Sequence, residues 1–264
     1  MLQEGDLVLS RCSQDLALIR SFMWAIYINR DHMRIWDINP GYLNRQSLLG
    51  EHRELHGIVS IQRDNKTGYS KHPETRRWAG YGWALKQRHK LLVAEMNLRG
   101  YENKSPVSLR SKPGIWPDCF IDSPEDQFLI LQTKYKTIKN GRIPLPRNAQ
   151  ELWAQHKYSV MARDISAYKD IGKRVASTSA SKGLGKLALE LTVLLRKPPE
   201  PKLIENTLLH MWGYVSIHAS ISGKELSSIS MKSLLKMIQQ LSCSKNVKYL
   251  IESTSLSELN AWIL

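Results

Sequence analysis

Apolar residues recur every three or four positions along most of the chain, which is the spacing of one face of an α-helix. Leu48, Leu55 and Val59 form one such series. The same pattern predicts helices over residues 47–61, 83–99, 149–175, 184–196, 204–218 and 231–241, with a short helix at the end of the chain. Strand-like alternation of apolar and polar residues is scarce, so the predicted fold class is all-α.

Helix caps and helix breakers predict how the chain divides. Asn148, followed three residues later by Glu151, resembles a capping box, and Gly100 lies where a left-handed helix cap belongs. Six prolines between residues 104 and 146 argue against long helices there. We therefore predict three parts, namely an N-terminal extension over 1–32, a first helical domain over 33–146 and a second helical domain over 147–264.

The charge of the chain indicates a polyanionic partner. Its 264 residues carry 38 lysines and arginines against 24 acidic residues, a formal net charge of +14. Counting by part gives −1 for residues 1–32, +9 for residues 33–150 and +6 for residues 151–264. Such an excess favours nucleic acid as the partner, and the first 32 residues do not share it.

Cysteine usage and hydropathy favour a cytoplasmic protein. The three cysteines are far apart in sequence, which excludes a disulfide scaffold and a cysteine-rich zinc module. The longest apolar stretch, residues 16–28, is interrupted by Arg20 and is shorter than the roughly 20 residues of a membrane-spanning helix. We expect no membrane association and no export signal.

Two histidines four residues apart, His52 and His56, invite a metal interpretation. In zinc proteases of this spacing the glutamate follows the first histidine directly, whereas here Glu54 lies two residues after His52, about 200° round the helix. His89 falls on the apolar face of its own helix and is interpreted as a core residue. A metal-dependent hydrolase is therefore disfavoured, and no metal or other cofactor is predicted.

The other face of the same helix carries a second candidate site. Ser47, Glu51, Glu54 and Ile58 share one stripe, with Arg53 at its edge. A carboxylate beside arginines can stabilise a developing positive charge while the arginines hold phosphates. A solvated helix face with local ion pairs is the alternative explanation of this spacing.

Residues 66–78 form a basic segment with aromatic residues between the charges. Lys71, Arg76 and Arg77 could contact phosphates, and Tyr69 and Trp78 could stack on exposed bases. An ordinary surface loop anchored by its tryptophan explains the composition equally well.

Two sequence blocks resemble the pyrimidine-dimer DNA glycosylases of the phage endonuclease V type. The first is Met33-Arg-Ile-Trp-Asp with Gln46-Ser-Leu-Leu-Gly-Glu-His-Arg-Glu-Leu55, and the second is Leu91-Leu-Val-Ala-Glu-Met-Asn-Leu-Arg-Gly100 with the four residues after it. The resemblance covers residues 33 to about 110. It implies a compact helical enzyme that cuts the glycosidic bond of a damaged base in double-stranded DNA and then nicks the abasic strand.

The resemblance also implies roles for individual residues. The nucleophile of the family is the α-amino group of its first residue, a position that corresponds to Met33. The catalytic glutamate corresponds to Glu54, and two substrate-holding arginines correspond to Arg34 and Arg53. No cofactor and no obligate protein partner are implied.

This sequence departs from the family at three positions. Ser47 replaces the active-site histidine, and we expect it to contact the substrate in place of that residue. Gly57 replaces a further arginine, and Met33 is internal to the chain. An amide nitrogen cannot form a Schiff base, so we expect translation to start at Met33. If residues 1–32 are retained, we expect a non-catalytic nucleic-acid-binding protein on the same scaffold.

The second domain resembles a bacterial helical domain of unknown function over residues 150 to about 240. Three stretches carry this resemblance, at residues 152–162, 168–176 and 206–214. It implies a helical fold and no chemistry.

Overall fold

Helices and turns make up the part of the chain that the structure, a computed structural model, describes, namely residues 33–177, 183–221 and 223–263. No strand occurs within these ranges. The all-α prediction is confirmed there. The predicted extension over residues 1–32 lies outside the described residues.

The α-helices follow one another along the chain without intervening strands in the described residues. They are α1 (Arg45–Asp64), α2 (Pro73–Arg77), α3 (Gly82–Leu98), α4 (Pro124–Lys134), α5 (Ala149–Met161), α6 (Ile165–Ser177), α7 (Leu184–Leu195), α8 (Pro201–Trp212), α9 (Gly223–Leu226), α10 (Met231–Ser244), α11 (Lys248–Ile251) and α12 (Ser255–Glu258). Short 3₁₀ turns lie at Pro40–Tyr42, Gly68–Lys71, Ser216–His218 and Leu259–Ala261.

The caps of α1 and α3 explain where these two helices begin and end. The side chain of Asn44 accepts a hydrogen bond from the backbone nitrogen of Ser47 (2.9 Å) and so satisfies one free donor at the start of α1. The chain leaves α1 through Asn65 in the left-handed region, with φ at 50°. Gly100 ends α3 with φ at 81°, as predicted.

One predicted helix is two helices in the structure. The expected helix over residues 149–175 is interrupted between Met161 and Ile165, and the Asp164 carboxylate accepts a hydrogen bond from the backbone of Ala167 (2.9 Å). Aspartate favours this capping position over a helix interior, which explains the break. The helix expected over residues 204–218 likewise ends at Trp212 and is followed by a 3₁₀ turn.

The predicted cap of α5 is confirmed in part. The Asn148 side chain accepts a hydrogen bond from the backbone of Glu151 (2.9 Å), as in a capping box. The Glu151 carboxylate, however, binds the backbone and guanidinium of Arg147 rather than the backbone of Asn148.

Residues 34–264 pack into one compact unit. Polar contacts join its first and second halves. Tyr42 Oη donates to Gln155 Oε1 (2.7 Å), and Arg196 pairs with Asp37 (2.8 Å). A core of α5, α8, α10 and α12 side chains fills the C-terminal half. The domain boundary expected at residues 146 and 147 stays a prediction.

Among the described helices, none combines the length and the apolar character that crossing a bilayer requires.

Candidate active site

Glu54 and the first residues of the described chain meet at the start of the compact unit. Glu54 lies half-buried in the middle of α1, and its Oε2 accepts a hydrogen bond from the backbone nitrogen of Arg34 at 2.6 Å. Two residues that are 20 positions apart in sequence are thereby held together. Met33 immediately precedes Arg34, so the nitrogen that contacts Glu54 is the one bonded to the carbonyl carbon of Met33.

The Arg34 side chain is also fixed in place. Its guanidinium pairs with the carboxylate of Asp122 and lies 5.1 Å from the centre of the Trp36 ring. Both partners of this ion pair are largely buried, with about 18% of the Arg34 side chain exposed. Asp122 belongs to the segment just before α4, so α4 is tied to this site.

Lys134, the last residue of α4, is a further cation at the site. Burial raises the pKa of Glu54 above its ordinary value, and the Arg34 backbone, Lys134 and the two arginines oppose this rise. Desolvation lowers the pKa of the Lys134 ammonium, with Arg34 adding to the effect and Glu54 opposing it. The site therefore holds a half-buried carboxylate among several cations.

Arg53 is a solvent-exposed cation of this group. Its side chain is exposed, and it forms no ion pair with the residues that the structure describes. Its charge nevertheless reaches Glu54, because it contributes to holding the pKa of that carboxyl down. Arg53 is therefore available for an anionic ligand, whereas Arg34 is already paired.

Ser47 and Gly57 occupy very different surroundings on α1. Ser47 is buried, with 6% of its surface exposed, so the expectation that it contacts substrate is corrected. Gly57 is exposed, and a side chain added there would meet no atom within 4 Å. The position where the family places an arginine is thus open space in this protein.

Arg77 is a structural residue rather than a DNA contact, which corrects the sequence prediction. Its guanidinium pairs with Asp37 (2.9 Å) and Glu74 (3.0 Å) and donates to the carbonyl of Ile35 (2.9 Å). Only 2% of the Arg77 side chain is exposed. A buried guanidinium whose donors are already occupied cannot bind phosphates.

The remaining members of the basic segment divide by exposure. Trp78 is fully buried and donates its ring nitrogen to Glu74 (3.1 Å), so it cannot stack on a base. Lys71, Arg76 and Tyr69 are exposed. The basic segment can therefore offer Lys71, Arg76 and the ring of Tyr69 to an anionic polymer. Lys66 is exposed as well, but it pairs with Asp64 (3.3 Å).

Glu51 serves the fold although it shares a stripe with Glu54. Both of its oxygens accept hydrogen bonds from Arg88 of α3, at 2.7 and 2.8 Å, and its side chain is fully buried. Arg88 also donates to the carbonyl of Ile38 (2.8 Å). This pair joins α1 to α3 and leaves Glu51 without access to a ligand.

Three histidines meet on the opposite face of α1. The rings of His52, His56 and His89 lie with centroids 4.7, 4.9 and 5.2 Å apart. His89 is buried as predicted, but it faces the other two histidines rather than apolar side chains alone. Sequence spacing could not show this, because His89 comes from a different helix.

Sequence analysis missed Asp122 and Lys134. Both lie about 70 to 80 positions after Glu54, and no motif accompanies either of them. The sequence offers one signal for them, because both lie at the ends of α4, the one helix in residues 104–146. Ser123 caps this helix and Pro124 begins it.

Fold and site together define a basic, helical protein with a carboxylate held against the backbone of the first residues that the structure describes. Residues 33–109 match the family described as pyrimidine dimer DNA glycosylase, which points to a glycosylase-type function with DNA as substrate. Residues 157–258 match a family described only as protein of unknown function (DUF1722). Both predicted resemblances are thereby confirmed. No curated protein and no solved structure matches the chain.

Proposed function

We propose that this protein is a DNA glycosylase and abasic-site lyase that acts on pyrimidine dimers in double-stranded DNA through an α-amino group at residue 33. We propose with it that the active form begins at Met33. Such a protein acts on chromosomal DNA in the cytoplasm and needs no partner protein for its chemistry.

The hydrogen bond from the Arg34 backbone to Glu54 carries the proposal. Chain connectivity places the α-nitrogen of residue 33 three covalent bonds from that backbone nitrogen. An amine at residue 33 is therefore within reach of a carboxylate that is half-buried and surrounded by cations. The family match over residues 33–109 supports the same assignment.

The amine acts as nucleophile. A free α-amine has a pKa near 7.7–8.0, so a useful fraction is neutral near pH 7. Its nitrogen bonds to C1′ of the sugar, the glycosidic bond breaks with its electrons leaving on the base, and the base nitrogen takes up a proton. The C1′–O4′ bond then breaks, a proton of the amine passes to O4′, and a Schiff base forms between the nitrogen and C1′. Loss of a proton from C2′ to solvent forms the C2′–C3′ double bond and breaks the bond from C3′ to the phosphate oxygen, so that the phosphate leaves.

The side chains of the site supply charge and position. The Glu54 carboxylate stabilises the positive charge that develops on the sugar and on the Schiff base. Arg53 is exposed and binds a phosphate next to the lesion. The ion pair between Arg34 and Asp122 holds the first residues of the described chain in place. The damaged nucleotide must leave the base stack for C1′ to be reached.

Lys71, Arg76 and Tyr69 extend the binding surface. All three are exposed, and together they suit contact with phosphates and stacking on an unpaired base.

Borohydride trapping tests the proposal. Two proteins, one beginning at residue 1 and one at residue 33, are incubated with DNA that carries a pyrimidine dimer or an abasic site. Borohydride reduces a Schiff base to a stable secondary amine, so a covalent adduct reports the chemistry directly. We expect an adduct for the protein that begins at residue 33 and none for the longer protein.

Glu54→Gln is the test variant and Glu102→Gln, an exposed carboxylate elsewhere, is its matched control. Peptide mapping of the adduct identifies the amine and separates residue 33 from Lys134, the other amine at the site. If neither protein traps while both bind DNA, the protein is a non-catalytic DNA-binding protein and the proposal fails.

A further inference from the structure

The three-histidine cluster of α1 and α3 lies outside the chemistry proposed above. His52 and His56 are one helical turn apart on α1, and His89 approaches them from α3. One ring nitrogen of each histidine lies within 4.8 Å of a ring nitrogen of each of the others. Among the described residues this is the one group of three or more potential ligands that converges so closely.

The cluster leaves hydrogen-bonding atoms without partners. Within the described residues, Nε2 of His56 and Nε2 of His89 are buried and bond to nothing. A buried polar atom without a partner costs about 1–3 kcal/mol, and such atoms in native proteins call for an explanation such as a bound ion or water. The two rings that carry them lie 4.9 Å apart between centroids, which points to one shared ligand.

The ligand must be an electron-pair acceptor. An ordinary histidine, with a pKa near 6.5, is mostly neutral near pH 7, and each neutral ring offers one lone pair. Three lone pairs converge without a carboxylate among them. A proton satisfies one lone pair, whereas a divalent metal ion satisfies all three.

We propose that His52, His56 and His89 bind a zinc ion. Zinc takes imidazole nitrogens at about 2.0–2.1 Å in tetrahedral geometry, which sets neighbouring nitrogens about 3.3 Å apart. The ring nitrogens lie within 4.8 Å of one another, so zinc binding requires them to approach by up to about 1.5 Å. Neutral nitrogen ligands favour zinc over magnesium and calcium, which prefer oxygen.

Asn103 occupies the fourth side of the cluster. Its Oδ1 accepts a hydrogen bond from His52 Nε2 (2.9 Å), and metal binding at that nitrogen moves the ring hydrogen to Nδ1. Oδ1 then either becomes the fourth ligand or holds a metal-bound water. His89 and Asn103 also line an open cavity of about 340 Å³, through which the ion and a water can enter.

Such a site links α1, α3 and the segment after α3. It lies about 200° round α1 from Glu54, so its ion does not touch the proposed amine chemistry. The tests of the two proposals are therefore independent, since zinc binding is measured without DNA.

The experiment uses the full chain purified without a histidine tag and stripped with a chelator. After zinc is added back and the excess is removed, we expect one zinc per chain by elemental analysis. We also expect a rise in the thermal unfolding midpoint on adding zinc, and the visible absorption of tetrahedral cobalt when Co²⁺ is added instead. Mg²⁺ at the same concentration should give no stabilisation. Absence of zinc binding by the wild-type protein overturns the proposal.

Variants locate the site. His89→Ala should weaken zinc binding at least about 100-fold, and Asn103→Ala about 10-fold or more. His210→Ala, an exposed histidine outside the cluster, is the matched control and should leave zinc binding unchanged. If His89→Ala does not fold, His52→Gln replaces it, and full zinc binding by a folded cluster variant also overturns the proposal.

Discussion

Glu51 and Glu54 lie one turn apart on α1, yet their burial and their hydrogen-bond partners differ. Both oxygens of Glu51 are held by Arg88, and its side chain is completely buried. Glu54 is half-buried. Among the described residues, its carboxylate accepts a hydrogen bond from one donor, the backbone nitrogen of Arg34. The cations near Glu54 surround it without forming a close ion pair.

The difference shows what separates a carboxylate that joins two helices from one that keeps unused acceptor capacity. A bidentate arginine satisfies a carboxylate and fixes it, which suits a joint between two helices. A carboxylate with unused acceptor capacity in a partly dry site can still respond to a new positive charge. Position on the same helical stripe therefore says little about function, and the partners decide it.

Replacing Glu54 should cause the largest change in activity. Glu54→Gln keeps an oxygen for the Arg34 backbone but removes the negative charge, so we expect a loss of about 10²–10⁴-fold in strand cleavage. The free energy of unfolding should change by less than about 1 kcal/mol. Single-turnover kinetics and chemical denaturation measure the two effects. Unchanged cleavage would exclude Glu54 from the chemistry.

Breaking the Glu51–Arg88 pair should mainly lower the stability of the protein. Arg88→Met leaves a buried carboxylate unpaired, and we expect a loss of about 3–5 kcal/mol in the free energy of unfolding. The double variant Glu51→Leu with Arg88→Met removes both charges and should recover most of that loss. Denaturant titration of Glu51→Leu, Arg88→Met and the double variant gives the coupling energy of the pair. A double variant as unstable as the single one would contradict the assignment.

Arg76 and Arg77 repeat the comparison at two adjacent positions. Arg77→Met removes a buried partner of Asp37 and Glu74, so we expect a loss of about 3 kcal/mol in stability. Arg76→Met changes an exposed side chain and should alter stability by less than about 0.5 kcal/mol.

DNA binding separates these two arginines further. Arg76→Met should weaken DNA binding. It should also reduce the slope of the logarithm of the binding constant against the logarithm of the salt concentration by about 1, the contribution of one phosphate contact. Fluorescence anisotropy at several salt concentrations measures this. Unchanged affinity across the series would remove the basic segment from the DNA-binding surface.

The sequence predicted local structure better than it predicted burial. Helical spacing gave α1 and α3, and the cap at Asn148 was correct because capping depends on adjacent residues. The burial of Arg77 and Trp78 depends on their contacts with Asp37 and Trp116. Both partners are distant in sequence and therefore outside any local pattern. The convergence of His89 on His52 is tertiary for the same reason.

Gly57 offers the smallest and most specific change on the Glu54 side of α1. Gly57→Arg places a cation in open space next to Arg53, where the family carries an arginine, and should raise DNA affinity about three- to tenfold. Gly57→Ala is the matched control, because it gives the same gain of about 0.5–1 kcal/mol in helix stability without the charge.

The affinity gain should also be present on undamaged DNA, since a phosphate contact does not read the lesion. Anisotropy with both duplexes at fixed salt tests this. A gain confined to dimer-containing DNA would mean that the new arginine touches the lesion itself. No gain on either duplex would show that DNA does not pass over this face of α1, and Glu54 would then lose its proposed substrate.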